Sequence, residues 1–142
     1  MADAFDGAQV SVGSVGGRFD LALRQPGMLR PLAAAELSDG TLRYLLLVAA
    51  LLSPRPPRLM VLNEPETSLH PDLLPPLGRL VQRAARETQV VVVSHASTLV
   101  DALDAGRGAV TRIALAKDAE GQTVVEGQEG LLDRPAWHWP SR

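Results

Sequence analysis

Arg58-Leu-Met-Val-Leu-Asn-Glu-Pro-Glu-Thr-Ser-Leu-His-Pro71 is the stretch on which the fold turns. An apolar run, Leu59 to Leu62, passes without a break into the polar pair Asn63-Glu64, and Pro65 follows at once. A continuous apolar run marks a parallel strand buried on both faces, whereas a half-exposed strand alternates. Ligands of open α/β sheets gather beyond the carboxyl ends of such strands. Glu64 is therefore expected at the mouth of a sheet, where a hydrolase keeps a general base.

Working outward, Gln89 to Val93 is a second apolar run, and it ends in Ser94-His95. Between the two runs, Pro75-Pro76 opens a helix, since proline is tolerated in a first turn. Leu77, Leu80, Val81 and Ala84 fall on its inward face; Arg79, Arg83, Arg86 and Glu87 face water. Two buried strands joined by a helix imply a right-handed parallel βαβ unit. Upstream, Ser38 is a plausible N-cap for a helix reaching Leu52, with Asp39 favourably placed in its first turn. Leu42, Leu45, Leu46, Ala49 and Leu52 form one stripe, but Leu47, Val48 and Ala50 are apolar too. A helix apolar nearly all round is expected to be buried on most sides. Ser53-Pro-Arg-Pro-Pro57 stops it.

The flanks are less regular. Residues 1 to 17 are small and glycine-rich, with no lasting periodicity. Arg18 to Arg24 alternates, placing Phe19, Leu21 and Leu23 on one face. Gln25-Pro-Gly27 signals a turn, with Met28 to Leu32 as the returning strand of a hairpin. Ala96 to Leu103 reads as a short helix stopped by Gly106-Arg-Gly108. Val110 to Lys117 and Gln122 to Glu126 read as an edge hairpin, and Trp137 and Trp139 as strand-like packing against the sheet.

At 142 residues the chain is one domain's worth, enough to bury about 70% of its unfolded surface. A net charge of −2 gives no nucleic-acid footprint over the whole surface. The absence of cysteine excludes a disulfide scaffold, a thiolate metal site and a cysteine nucleophile. The longest apolar stretch, Tyr44 to Leu52, is far short of the ~20 residues that span a bilayer, and Met1-Ala-Asp-Ala-Phe-Asp6 lacks the pattern of a secretory signal. A soluble, cytoplasmic protein with no membrane association is expected.

Three segments, Leu37-Ser-Asp-Gly-Thr41, Leu62 to Pro71 and Val93-Ser-His95, stand in an order and spacing that resemble the carboxyl-terminal half of an ABC-type ATPase. The likeness is to the branch of RecF-, SMC- and OLD-like ATP-binding proteins, often met as AAA-family ATPases, and it covers roughly Phe19 to Leu103. It implies an α/β, P-loop NTPase-like parallel sheet with flanking helices and edge hairpins. Residues 1–142 would be a single partial domain, with about 1–17 and 127–142 peripheral. By this resemblance Ser38 and Gly40 belong to the signature loop and touch the γ-phosphate of ATP held by a partner subunit. A helix amino terminus with free N–H groups suits that task. Asn63-Glu64 stands at the Walker B end, where the family usually carries Asp-Glu. Glu64 would polarise the attacking water, and Asn63 would reach Mg2+ through a bound water, without adding charge. Thr67, Ser68 and His70 fall in the D-loop at the dimer interface, with His70 where many relatives have aspartate. His95 takes the place of the switch histidine at the γ-phosphate, and Asp39 replaces a usual glycine.

The phosphate-binding loop, G-x-x-x-x-G-K-[ST], does not occur among these residues. Gly13-Ser-Val-Gly-Gly-Arg18 lacks its ending, and the only lysine is Lys117. The cofactors the resemblance implies, ATP and Mg2+, therefore call for a Walker A loop from another lobe or from a partner. That partner would be an ABC-type ATPase subunit, in a homodimer or heterodimer. The alternative is a non-catalytic interaction scaffold descended from such an ATPase. Nucleic-acid binding rests on family analogy alone; Arg79, Arg83 and Arg86 read as a solvated face. A zinc site of His70, Glu66 and His95 lacks metalloprotease spacing. A Ser-His-Asp hydrolase using Ser94 and His95 lacks the G-x-S-x-G elbow.

Overall fold

The pair Gly16-Gly17 closes a hairpin that the sequence pattern concealed. Both glycines have left-handed backbone, φ 58 and 78, which a two-residue turn of the primed type requires at both central positions. On either side, β1 (Gln9–Val15) pairs antiparallel with β2 (Arg18–Arg24), Val12 opposite Leu21 and Val15 opposite Arg18. The described part of this glycine-rich start thus holds a full strand, and the longer of the two partners of β2 lies before it. Of the expected return strand only β3 (Leu32–Ala33) pairs with β2. The Met28 amide donating to the Gln25 carbonyl closes the turn at Pro26-Gly27, and residues 28–31 follow it without pairing to β2. The Arg30 guanidinium forks onto the Glu36 carboxylate at 2.7 and 2.8 Å, and the Ala33 amide donates to it at 2.9 Å. Those donors hold the Glu36 carboxyl down to about 2. Along β2 burial falls off towards the tip, from fully buried Leu23 to Phe19 at 82% exposed.

The computed structural model describes residues 3–106, 108, 110–119 and 121–127, with backbone only for Val15. Trp137 and Trp139 lie outside the described residues. Contacts divide the chain into two compact units, Met1–Gly108 and Ala109–Arg142. In the second, β6 (Leu115–Lys117) and β7 (Thr123–Val125) form a hairpin with a sheet to itself, shorter than the sequence suggests.

In the first unit, α1 (Asp39–Leu51) begins where Ser38 Oγ accepts the Thr41 amide at 3.2 Å. β4 (Leu59–Asn63), α2 (Leu74–Ala84) and β5 (Gln89–Val93) follow, and α3 (Ser97–Asp104) completes the layer. The two strands are parallel, with Leu59 opposite Gln89 and Asn63 opposite Val93. The core gathers Tyr44 and Leu51 of α1, Leu77, Val81 and Ala84 of α2, and Leu99 of α3. Met60, Leu62, Val90 and Val92 pack against it from one face of the sheet. A Cβ on Gly78 would stand 2.7 Å from the Ala102 Cβ, so the bare glycine sets how closely α2 and α3 approach.

Two expectations of burial need correction. Leu59, Val61, Val91 and Val93, on the opposite face of β4 and β5, are exposed, Val61 by 61%. Leu46 of α1 is 70% exposed. An apolar run records what a segment can bury, and among the described residues the helices cover only one face of this sheet. No helix of the described residues is long and apolar enough to cross a membrane.

Replacing Val61 and Val91 together by lysine is expected to leave stability within about 1 kcal/mol, since both side chains already face solvent. It should shift the chain towards monomer in sedimentation at high concentration. A large loss of stability would mean that this face is packed.

Candidate functional site

Because Asn63 pairs with Val93, the two parallel strands end level, and whatever follows each of them emerges at one place. The Glu64 amide donates to the Val93 carbonyl at 2.8 Å, and the chain then turns through left-handed backbone at Glu64, φ 44. The loop folds back on itself, the Thr67 amide donating to the Glu64 carbonyl at 3.1 Å and the Leu69 amide to the Glu66 carbonyl at 3.0 Å. Ser68 is left-handed as well, φ 64; among the described residues these are the two non-glycine positions of that kind.

Three side chains meet here. Glu64 is 52% exposed, and its Oε1 lies 3.7 Å from Nδ1 of His95. Glu66 Oε1 lies 3.6 Å from the same nitrogen, but this carboxylate is only 8% exposed. It accepts the Ser94 hydroxyl at 2.7 Å and the His95 amide at 3.2 Å, while Ser94 Oγ accepts the Ala96 amide at 3.1 Å. Burial alone would raise the Glu66 carboxyl; the hydroxyl of Ser94 and the amides around it outweigh burial and hold it below the usual carboxylate range. Its Oε2 is buried without a hydrogen-bond partner. Glu66 thus ties the loop after β4 to the loop after β5. Sequence reasoning considered it only as a zinc ligand; the signal was a second carboxylate two residues beyond the first. Among the described residues no group of three His, Asp or Glu side chains is placed to hold a metal ion.

A second group gathers around the start of α1. Ser38 and Gly40 line an open cleft of about 790 Å3 together with Ser68, His70 and Phe5. A Cβ on Gly40 would come within 2.5 Å of the Ser68 carbonyl oxygen, so only glycine admits that approach of backbone to backbone. His70 is exposed and caps the short 3-10 turn Pro71–Leu73, its Nδ1 accepting the Asp72 amide at 3.3 Å. The structure therefore assembles Glu64 and His95 at the strand ends, and Ser38, Gly40, Ser68 and His70 at the cleft. Thr67 bonds back to Glu64, and Asn63 sits exposed as the last residue of β4.

A family model described as "AAA domain, putative AbiEii toxin, Type IV TA system" matches residues 5–101, which contain every one of these positions. The chain belongs to this AAA domain family. Among solved structures, the AAA domain is similar to one described as "Structural biochemistry of ATP-driven dimerization and DNA stimulated activation of SMC ATPases". The TM-score is 0.68 at 15% identity, over 87% of this chain and 75% of that one. At that identity the likeness is one of fold, and it agrees with the carboxyl-terminal ABC/AAA-type α/β architecture inferred from the motifs. No curated protein matches this chain in sequence.

Glu66→Ala is expected to cost about 1–3 kcal/mol in urea unfolding, because it strands the Ser94 hydroxyl and the His95 amide. Glu66→Gln, which keeps an acceptor, should cost less. Since the folded carboxyl titrates below its unfolded value, its contribution is present above the unfolded pKa and fades as pH falls through the folded one. The stability difference between the parent and Glu66→Gln should therefore narrow in acid. Gly40→Ala is expected to lose about 1–3 kcal/mol by pushing α1 off Ser68; an unchanged melt would contradict the close approach.

Proposed function

We propose that this AAA domain supplies the signature and Walker B half of an ABC-type ATP hydrolase, completed by a lobe or partner subunit that carries the Walker A loop. The observation that carries the reading is Glu64: a half-exposed carboxylate at the end of a parallel strand, 3.7 Å from His95 Nδ1. Glu64 polarises the attacking water and His95 contacts the γ-phosphate. Ser38 and Gly40, at the amino terminus of α1, meet the phosphate held by the partner. Thr67, Ser68 and His70 lie at the subunit interface. Asn63, exposed as the last residue of β4, would reach Mg2+ through one of the several waters that ion keeps. When bound, Mg2+-ATP supplies the phosphoryl group and the metal charge that offsets it.

Family membership supports an ATPase-type function in general. The fold match adds that a chain only modestly longer than this one carries the same architecture in an SMC ATPase structure described by its ATP-driven dimerization. One observation favours the second reading, a scaffold that does not hydrolyse ATP: the Asp39 carboxylate stands in the first turn of α1, where a phosphate would have to approach. Of the arginine face on α2, Arg79 is already forked onto Asp3 at 2.8 and 2.9 Å, which weakens the case for a nucleic-acid track there.

Calorimetry with Mg2+-ATP on the chain alone, and then on its mixture with a Walker A-bearing relative, tests the reading. Little heat alone and tight binding in the mixture are expected. In that mixture Glu64→Gln should lower turnover at least about 100-fold while ATP-dependent association persists. Absence of any ATP response in the mixture would leave the scaffold reading standing.

A further inference from the structure

α1 touches the loop after β4 at two points, three residues apart on one helical face. Gly40 lies against the Ser68 carbonyl, with room for no Cβ. One turn further on, Arg43 Nη2 donates to the carbonyl of Glu64 itself at 3.1 Å. The two loop residues contacted are, among the described residues, the two non-glycine residues held in left-handed backbone, a conformation that persists only where the surroundings enforce it. The guanidinium also keeps its Nε buried without an acceptor, an unmet donor that stability alone would remove.

We infer that Arg43 is a positioning residue that couples the amino-terminal turn of α1 to the conformation of Glu64. The inference rests on the proposed role of Glu64 and adds a physical link between the two groups of site residues. A ligand that shifts the start of α1 pulls or releases the Glu64 carbonyl through one charge-assisted hydrogen bond, and thereby re-aims its carboxylate. The carbonyl accepts two hydrogen bonds, one from Arg43 Nη2 and one from the Thr67 amide. Loss of the first should therefore loosen the second. Arginine suits the task because its planar fork fixes direction; lysine offers a point charge on a flexible stem.

Amide hydrogen exchange on the intact chain tests the link without nucleotide. In Arg43→Met, the Thr67 and Leu69 amides are expected to exchange about tenfold faster, with the amides of Leu45 to Leu51 unchanged and Arg43→Lys intermediate. Unaltered exchange at Thr67 and Leu69, or an equal acceleration throughout α1, overturns the coupling. In the mixture with a Walker A-bearing partner, Arg43→Met should lower kcat about tenfold with KM for ATP unmoved, and Arg43→Lys should recover part of it. Accelerated exchange with kcat intact would also overturn it. If the unaltered chain shows no turnover with the partner, the hydrolase reading fails, and the exchange arm still decides whether Arg43 holds Glu64.

Discussion

Everything at the candidate site depends on the level ending of β4 and β5. The register Asn63 opposite Val93 is extended by one more bond, from the Glu64 amide to the Val93 carbonyl. Strand side chains alternate with a period of two, so a slip of one residue would send Met60 and Leu62 out of the core. It would also move the carboxylate away from His95. The register is held by packing: Met60, Leu62, Val90 and Val92 seat against α1, α2 and α3. The bare Gly78 sets the spacing of those helices. Thr88, buried before β5, donates its hydroxyl to the Pro57 carbonyl and ties the entries of both strands together.

From that alignment the loop geometry follows. Two strands delivering Glu64 and His95 to one place leave the intervening backbone to turn sharply, and Glu66 fills the gap with a buried acceptor. The polar network is small, but each bond has a separate role: Ser94 and the His95 amide tie the loop after β5 to Glu66, the Thr67 amide closes the loop after β4, and Arg43 joins α1 to that second loop. Such networks specify geometry more than they add stability, because each polar group gives up water to take part.

Much of this was legible in the sequence where one residue type does one job. Ser38 as a cap, the proline start of α2, its Leu77–Val81–Ala84 face and the two apolar runs all carry local signals that tertiary packing left intact. β1 escaped because its alternation uses valine against serine and glycine, residues too small to stand out, and because its turn glycines merged with a glycine-rich stretch of no lasting periodicity. The buried-both-sides reading of β4 and β5 erred because apolar character says what a face tolerates, and coverage depends on which other elements arrive. The meeting of Glu64 and His95 was legible, because each follows closely on the end of a parallel strand. The rest of the site was hidden at Glu66 and Arg43, whose partners lie 28 and 21 residues away in sequence and whose importance is a matter of burial and of one carbonyl.

The left-handed backbone at Glu64 also restricts which sequences can succeed this one. β-branched side chains are genuine outliers at positive φ, whereas asparagine, aspartate and glycine enter that region at little cost. A lineage under no selection for the carboxylate would therefore drift at this position through asparagine, aspartate, glycine or the isosteric glutamine. Valine, isoleucine and threonine stay closed until the loop itself is rebuilt. The backbone, as much as the chemistry, decides which relatives of this chain can exist.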